Sequence, residues 1–155
     1  MRWTDVTANL SPEIYSDIVN RFTAGRGYAY LAARAAEHNA EAATVLRYLE
    51  EALQYLHEVQ RLLAEHTAYA LEPPPAPGAD SAAAAAMPWH TFLATRGPAE
   101  ASQLSAALRD AVYYARHAAE AITDNGEYAW LLRRLNDAMA CLALARRLST
   151  LMLFV

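Results

Sequence analysis

The sequence predicts an all-α protein: an antiparallel four-helix bundle built from two repeated helical hairpins. Three observations predict it. Of 155 residues, 36 are Ala and 20 are Leu, the strongest helix formers, against only 5 Gly. Ile and Val together number 9, too few for a sheet core built from β-branched residues. The chain also repeats itself: displaced by 86 positions, residues 12–63 align with 98–149 without a gap, and 17 of the 52 pairs are identical. A hydrophobic fraction of 55% is ample for one buried core, and the length is that of a single domain.

Helical periodicity would match alanines and leucines in any two amphipathic helices. It does not account for Pro12 meeting Pro98, Tyr28 meeting Tyr114, Asn39 meeting Asn125, Glu41 meeting Glu127, or Arg47 and Arg61 meeting Arg133 and Arg147. The spacing therefore predicts a first hairpin over 11–70, a connecting segment over 71–97 and a second hairpin over 98–152.

In the first hairpin, the hydroxyl of Ser11 precedes Pro12, which suits the first helical position because its missing N–H has no helical partner there. The helix is expected to run to His38 and turn at Asn39-Ala40, with Glu41 at the positive end of the next helix. The second copy repeats this with Gly97-Pro98, a helix to Asp124, a turn at Asn125-Gly126, and Glu127. Turns this short make the two helices of each hairpin antiparallel neighbours. Gly25 and Gly27 lie inside the first helix and are expected to bend it. Between the hairpins, Glu72-Pro73-Pro74-Pro75-Ala76-Pro77-Gly78 excludes helix and reads as an extended linker. The aromatic stretch Trp89 to Leu93 is expected to dock on the bundle and cover exposed core, the alternative being a partner-binding motif.

On the second helix, Leu46, Leu49, Leu53, Leu56 and Leu63 form one stripe. Val45, Tyr48, Ala52, Tyr55, Val59, Leu62, His66 and Tyr69 form another beside it. Together they span roughly 200°, against the ~100° that faces a single core. The fourth helix adds Leu144 and Leu151 where the second carries charge. Such breadth implies a cover, expected to be a second copy in a homo-oligomer, most simply a dimer. The alternative cover is the linker with Trp3, Val6 and Leu10. The expected interface or ligand residues are Tyr48, Tyr55, His66, Tyr69, Leu144, Arg146 and Leu151. In the first and third helices, Gly25, Ala29, Ala32 and Ala36 face Ala107, Ala111, Ala115 and Ala118, a pattern that suits close helix approach.

The composition narrows the chemistry. All 13 basic residues are Arg, so a Schiff-base lysine and a P-loop are excluded. A net charge of −4 without a basic tail argues against nucleic acid as a partner. The lone Cys141 forbids an internal disulfide, no apolar run approaches membrane-spanning length, and the start lacks the apolar core of a signal peptide. A cytoplasmic protein is expected. Five His raise the question of metal, but the residues three before them are Ala35, Gln54, Leu63, Met87 and Tyr114. The Glu-x-x-His motif of di-iron bundles is therefore missing. His117-x-x-Glu120 is the best isolated fragment of a zinc site, and no metal or cofactor is expected.

Arg61-Leu62-Leu63-Ala64-Glu65-His66 resembles the Arg-to-His spacing of the HEPN ribonucleases. That resemblance implies metal-independent RNA cleavage across a dimer, with His66 as general acid/base and Arg61 on the scissile phosphate. The chain departs from the family in having Leu62 where a polar residue is usual. Arg61 and His66 also lie about 140° apart around their helix. Arg146 falls on the leucine stripe, so it needs a carboxylate, expected from Asp17 or Glu13. The expected function is non-enzymatic, by protein association. The alternatives are the ribonuclease and a binder of small apolar or aromatic ligands lined by Tyr48, Tyr55, His66 and Arg146.

Overall fold

The computed structural model describes residues 1–67, 87–95 and 97–153, with side chains as far as Thr150. Tyr69 with the end of the first hairpin (68–70), positions 71–86 and 96 of the connecting segment, and the side chain of Leu151 lie outside the described residues. The protein is all-helical: α1 (Trp3–Thr7), α2 (Pro12–Glu37), α3 (Ala42–His66), α4 (Trp89–Ala94), α5 (Pro98–Thr123) and α6 (Tyr128–Leu153). No strand occurs among the described residues.

The expected boundary signals act locally. The Ser11 hydroxyl accepts from the Ile14 N–H at 3.2 Å, and Pro12 and Pro98 open α2 and α5. Asn39 and Asn125 both adopt φ 53°, the left-handed conformation that stops a helix. Just beyond them, the Ala40 N–H donates to the Ala35 carbonyl at 2.9 Å and the Gly126 N–H to Ala121 at 2.7 Å, which satisfies carbonyls the helix ends leave open. Gly25 leaves α2 unbroken. Its use is contact: a Cβ there would lie 2.7 Å from Cδ2 of Leu56 on α3.

The long helices touch in the circuit α2–α3–α6–α5, with α2 mainly on α3 and α5 mainly on α6. Two polar contacts set the direction of α6 against α3. The Gln60 amide donates to Asn136 Oδ1 at 2.5 Å, and Arg146 donates to both carboxylate oxygens of Glu50 at 2.8 and 2.7 Å. Position numbers fall on one helix as they rise on the other, so the two run antiparallel. The Arg146 carboxylate is thus Glu50, not the expected Asp17 or Glu13, because α6 packs on α3, whereas Glu13 and Asp17 are exposed near the start of α2.

The short helices dock crosswise. Ahead of α1, the Trp3 N–H donates to the Gly126 carbonyl at 3.0 Å and Tyr128 N–H to the Met1 carbonyl at 2.8 Å. Ahead of α4, Trp89 N–H donates to Ala40 and Ala42 N–H to Met87, both at 2.7 Å. The turn asparagines close each junction: Asn125 Oδ1 accepts from Thr4 N–H at 2.9 Å and Asn39 Oδ1 from His90 N–H at 2.8 Å. Trp3 and Trp89 plug the two junctions at 2% and 1% exposure.

The breadth of the α3 apolar arc has its cover within the chain. Val45, Leu49, Ala52, Leu56, Val59 and Leu63 are all buried, because α3 packs on α2 and on α6 at once; Tyr48 and Tyr55 are half-buried against Tyr28, and His66 stays partly exposed. Most of that breadth is therefore taken up within the chain, and width by itself does not call for a second copy.

Candidate functional site

With the core sealed, the large apolar side chains left exposed among the described residues are few: Met1, Tyr15, Tyr30, Leu31, Tyr113 and Trp130. Tyr113 and Trp130 belong to an organised group on the outer face of α5 and α6. Tyr113 and His117 stand one turn apart on α5, and their rings lie 4.1 Å apart. Trp130 and Arg134 stand one turn apart on α6, with the guanidinium 4.0 Å from the indole centroid. His117 links the helices by stacking on Trp130 at 6.5 Å. Arg134 also lies 5.2 Å over Tyr114, which meets Tyr113 edge-on at 5.5 Å. Five side chains thus form a closed ring of aromatic and cation–π contacts.

Two helices close together produce this ring because i and i+4 positions share a helix face. The ring is rigid at its base and open at its rim. Arg134 is 18% exposed and bonds Asp137 at 3.4 Å, whereas Tyr113 is 47% and Trp130 40% exposed. The Arg134 Nε–H and the His117 Nδ1 are buried without a hydrogen-bond partner. Arg116, paired with Glu120 at 3.9 Å, lies 5.8 Å from the Tyr113 ring and adds a second cation at the edge.

Below this face Cys141 is half-buried. Burial pushes its thiol up from 9.0 to about 11, and the charges of Asp110 and Asp137 push the same way.

The expected site residues are dispersed. Tyr48 and Tyr55 pack on Tyr28, with ring centroids at 6.0 and 5.7 Å. Arg146 is held by Glu50, and Leu144 is half-buried against the core. His66 lines a cleft of about 450 Å³ with Val6, Thr67, Tyr128 and Leu132. None of Tyr48, Tyr55 and Arg146 lines that cleft. Arg61 is tied to Glu65 at 2.7 Å, and His66, which lines the cleft, lies 4.0 Å from the other oxygen of the same carboxylate. His117 packs among aromatic rings, and no group of three or more metal-ligating side chains occurs among the described residues.

Sequence reasoning missed the α5–α6 ring. A signal was present: 86 positions earlier, Tyr113, His117, Trp130 and Arg134 correspond to Gly27, Leu31, Thr44 and Tyr48, so three rings or cations replace non-aromatic residues. No family model matches the chain, and neither the curated proteins nor the solved structures contain a match.

Proposed function

We propose that this chain is a non-enzymatic cytoplasmic association module, an antiparallel four-helix bundle made by duplication of one hairpin. The hairpins are 11–70 and 98–152, joined by 71–97. The duplication is supported by recurrence at one offset: Pro12 and Pro98, Asn39 and Asn125, Trp3 and Trp89 each stand 86 positions apart and fill the same local roles.

One observation carries the functional reading: Tyr113 and Trp130, large and 47% and 40% exposed, are pre-ordered beside Arg134 and Arg116 in one connected ring on the outer face of α5 and α6. Trp, Tyr and Arg are the residues that dominate binding energy in protein interfaces. Holding them in a ring beforehand reduces the ordering entropy that binding costs. In the simplest case the partner is a second copy, because Arg116 and Glu120, Arg134 and Asp137 place both charge signs on one face and suit a self-complementary contact.

Trp130 supplies the test, since Trp3 and Trp89 are buried and the indole open to quenchers is that of Trp130. Acrylamide quenching of tryptophan emission should fall as protein concentration rises, in step with an increase of mass by sedimentation. Trp130→Ala should abolish the mass increase. A strict monomer with concentration-independent quenching would refute self-association through this face.

A second reading rests on the cleft beside His66, whose size suits a small apolar ligand. Its test is a concentration-dependent melting shift with small aromatic compounds that is lost in Leu132→Trp.

A further inference from the structure

The contacts between α1–α3 and α4–α6 come in matched pairs, as they do across the two-fold axis of a dimer. Trp3 to Gly126 answers Trp89 to Ala40, Met1 to Tyr128 answers Met87 to Ala42, and Thr4 to Asn125 answers His90 to Asn39. The polar pairs between α3 and α6 obey the same correspondence. Position 60 corresponds to 146 and position 50 to 136, so Gln60–Asn136 and Arg146–Glu50 are one contact occurring twice. At these two places the chemistry differs. Two copies of α1–α3 would set Glu50 against Gln60 twice. Two copies of α4–α6 would set Arg146, only 14% exposed, against Asn136 with no carboxylate. Unlike halves alone give one complete ion pair and one complete amide pair. Packing is also denser within each hairpin than between them, which makes this the joint that opens with least loss.

We infer that the chain pairs with a second copy of itself by exchanging halves, α1–α3 of each molecule closing on α4–α6 of the other through the same Glu50–Arg146 and Gln60–Asn136 contacts. The closed monomer and the exchanged dimer share every one of these contacts, so chain concentration decides between them. For two interfaces joined in one chain, the effective concentration of the internal partner is on the order of 1 mM. Refolding at roughly 100 µM should therefore place about a tenth of the chains in exchanged dimers.

The experiment uses full-length Glu50→Arg and Arg146→Glu variants, refolded singly and as an equimolar mixture. Each variant alone sets like charges against each other and should melt below the wild type. In the exchanged mixed dimer, the new arginine of one chain meets the new glutamate of the other, while the native Glu50 meets the native Arg146. The mixture should therefore give a species of twice the chain mass, melting near the wild type. Two destabilised monomers with unchanged melting would overturn the proposal. Should neither variant fold alone, a soluble mixed dimer still supports exchange, and joint precipitation counts against it.

A second measurement needs no charge reversal. Gln60→Cys and Asn136→Cys in a Cys141→Ser chain should yield disulfide-linked dimers after concentrated refolding and internal links after dilute refolding. Internal links at every concentration would overturn exchange. Adding Trp130→Ala leaves these dimers intact, which separates exchange from association through the α5–α6 face.

Discussion

Replacing Asn125 by glycine and by alanine separates two duties that one side chain performs. The backbone there has φ 53°, and Oδ1 accepts from the Thr4 N–H at 2.9 Å. Glycine keeps the conformation and loses the bond; because the bond is exposed, it contributes toward the lower end of about 0.5–1.5 kcal/mol. Alanine loses the bond and, unlike glycine, keeps a Cβ in the left-handed region without the polar side chain that makes asparagine tolerable there, a cost of about 1–2 kcal/mol relative to glycine. Alanine should therefore cost about 1–2 kcal/mol more than glycine. For a chain of this size that difference lowers the midpoint by roughly 3–6 °C. Reversible urea and thermal unfolding followed by circular dichroism measure both variants. Asn39, at φ 53° and bonded to His90 N–H at 2.8 Å, should give the same pair of values within about 0.5 kcal/mol. Equal losses for glycine and alanine would refute the conformational part. Unequal behaviour at positions 39 and 125 would refute the equivalence of the two turns.

Other outcomes follow from the same coordinates. Gly25→Ala, whose Cβ would meet Leu56 Cδ2 at 2.7 Å and its backbone N at 3.3 Å, should destabilise by about 1–3 kcal/mol in urea unfolding. Gly27→Ala, with nothing within 4 Å, should instead stabilise by about 0.5–1 kcal/mol. Arg146→Met should cost about 1–2 kcal/mol, less than a fully buried pair, because Glu50 is 44% exposed and water partly relieves it. Cys141, its thiol raised from 9.0 to about 11, should be alkylated far more slowly at pH 8 in the folded than in the unfolded chain. The folded thiol keeps its proton after the unfolded one has lost it. Stability contributed by Cys141 should therefore fall as pH rises from 9.0 to about 11, as read from urea midpoints.

The helices and their ends were legible because their causes are local. Pro12, Pro98 and the paired asparagines act within a few residues of where they stand, and the docking of Trp89 and Phe92 followed from an aromatic stretch too apolar to remain in water. The short helix α1 was not expected, although Met1 and Met87, Trp3 and Trp89, Ala8 and Ala94 stand at the same 86-residue offset. Without a long amphipathic period, those residues fall outside a pattern search. Crosswise docking was not legible at all, since nothing local tells Trp3 to seek Gly126. The wide arc on α3 was legible as area but not as destination: width alone does not distinguish one further neighbour inside the chain from a second molecule. Glu50 and Glu58 lie among the polar positions of α3, where Arg146 and Arg21 reach them from other helices.

Where the two halves agree and where they differ bears on which surface does the work. Identity at the 86-residue offset falls largely on buried or turn positions: Ala29, Ala32, Leu49, Ala52, Leu56, Leu62 and Asn39 have identical counterparts. These positions hold the halves in one shape, and any change there risks a cavity or a clash. The outer faces differ. Against the common Tyr28 and Tyr114, the first half sets Tyr48 and Tyr55, whose rings pack on Tyr28, with one guanidinium, that of Arg47, 5.4 Å from the Tyr48 ring. The second half sets Arg134 and Cys141 at the same positions and adds Tyr113, His117 and Trp130, opening an aromatic and cationic rim. Stability does not call for a solvent-facing indole, since Thr44 serves at the equivalent place. Trp130→Thr should accordingly leave the urea midpoint within about 0.5 kcal/mol of the wild type, as surface changes do. It should remove concentration-dependent association in the same preparation. A variant that unfolds instead would show Trp130 to be a structural residue and would leave the α5–α6 face without a function.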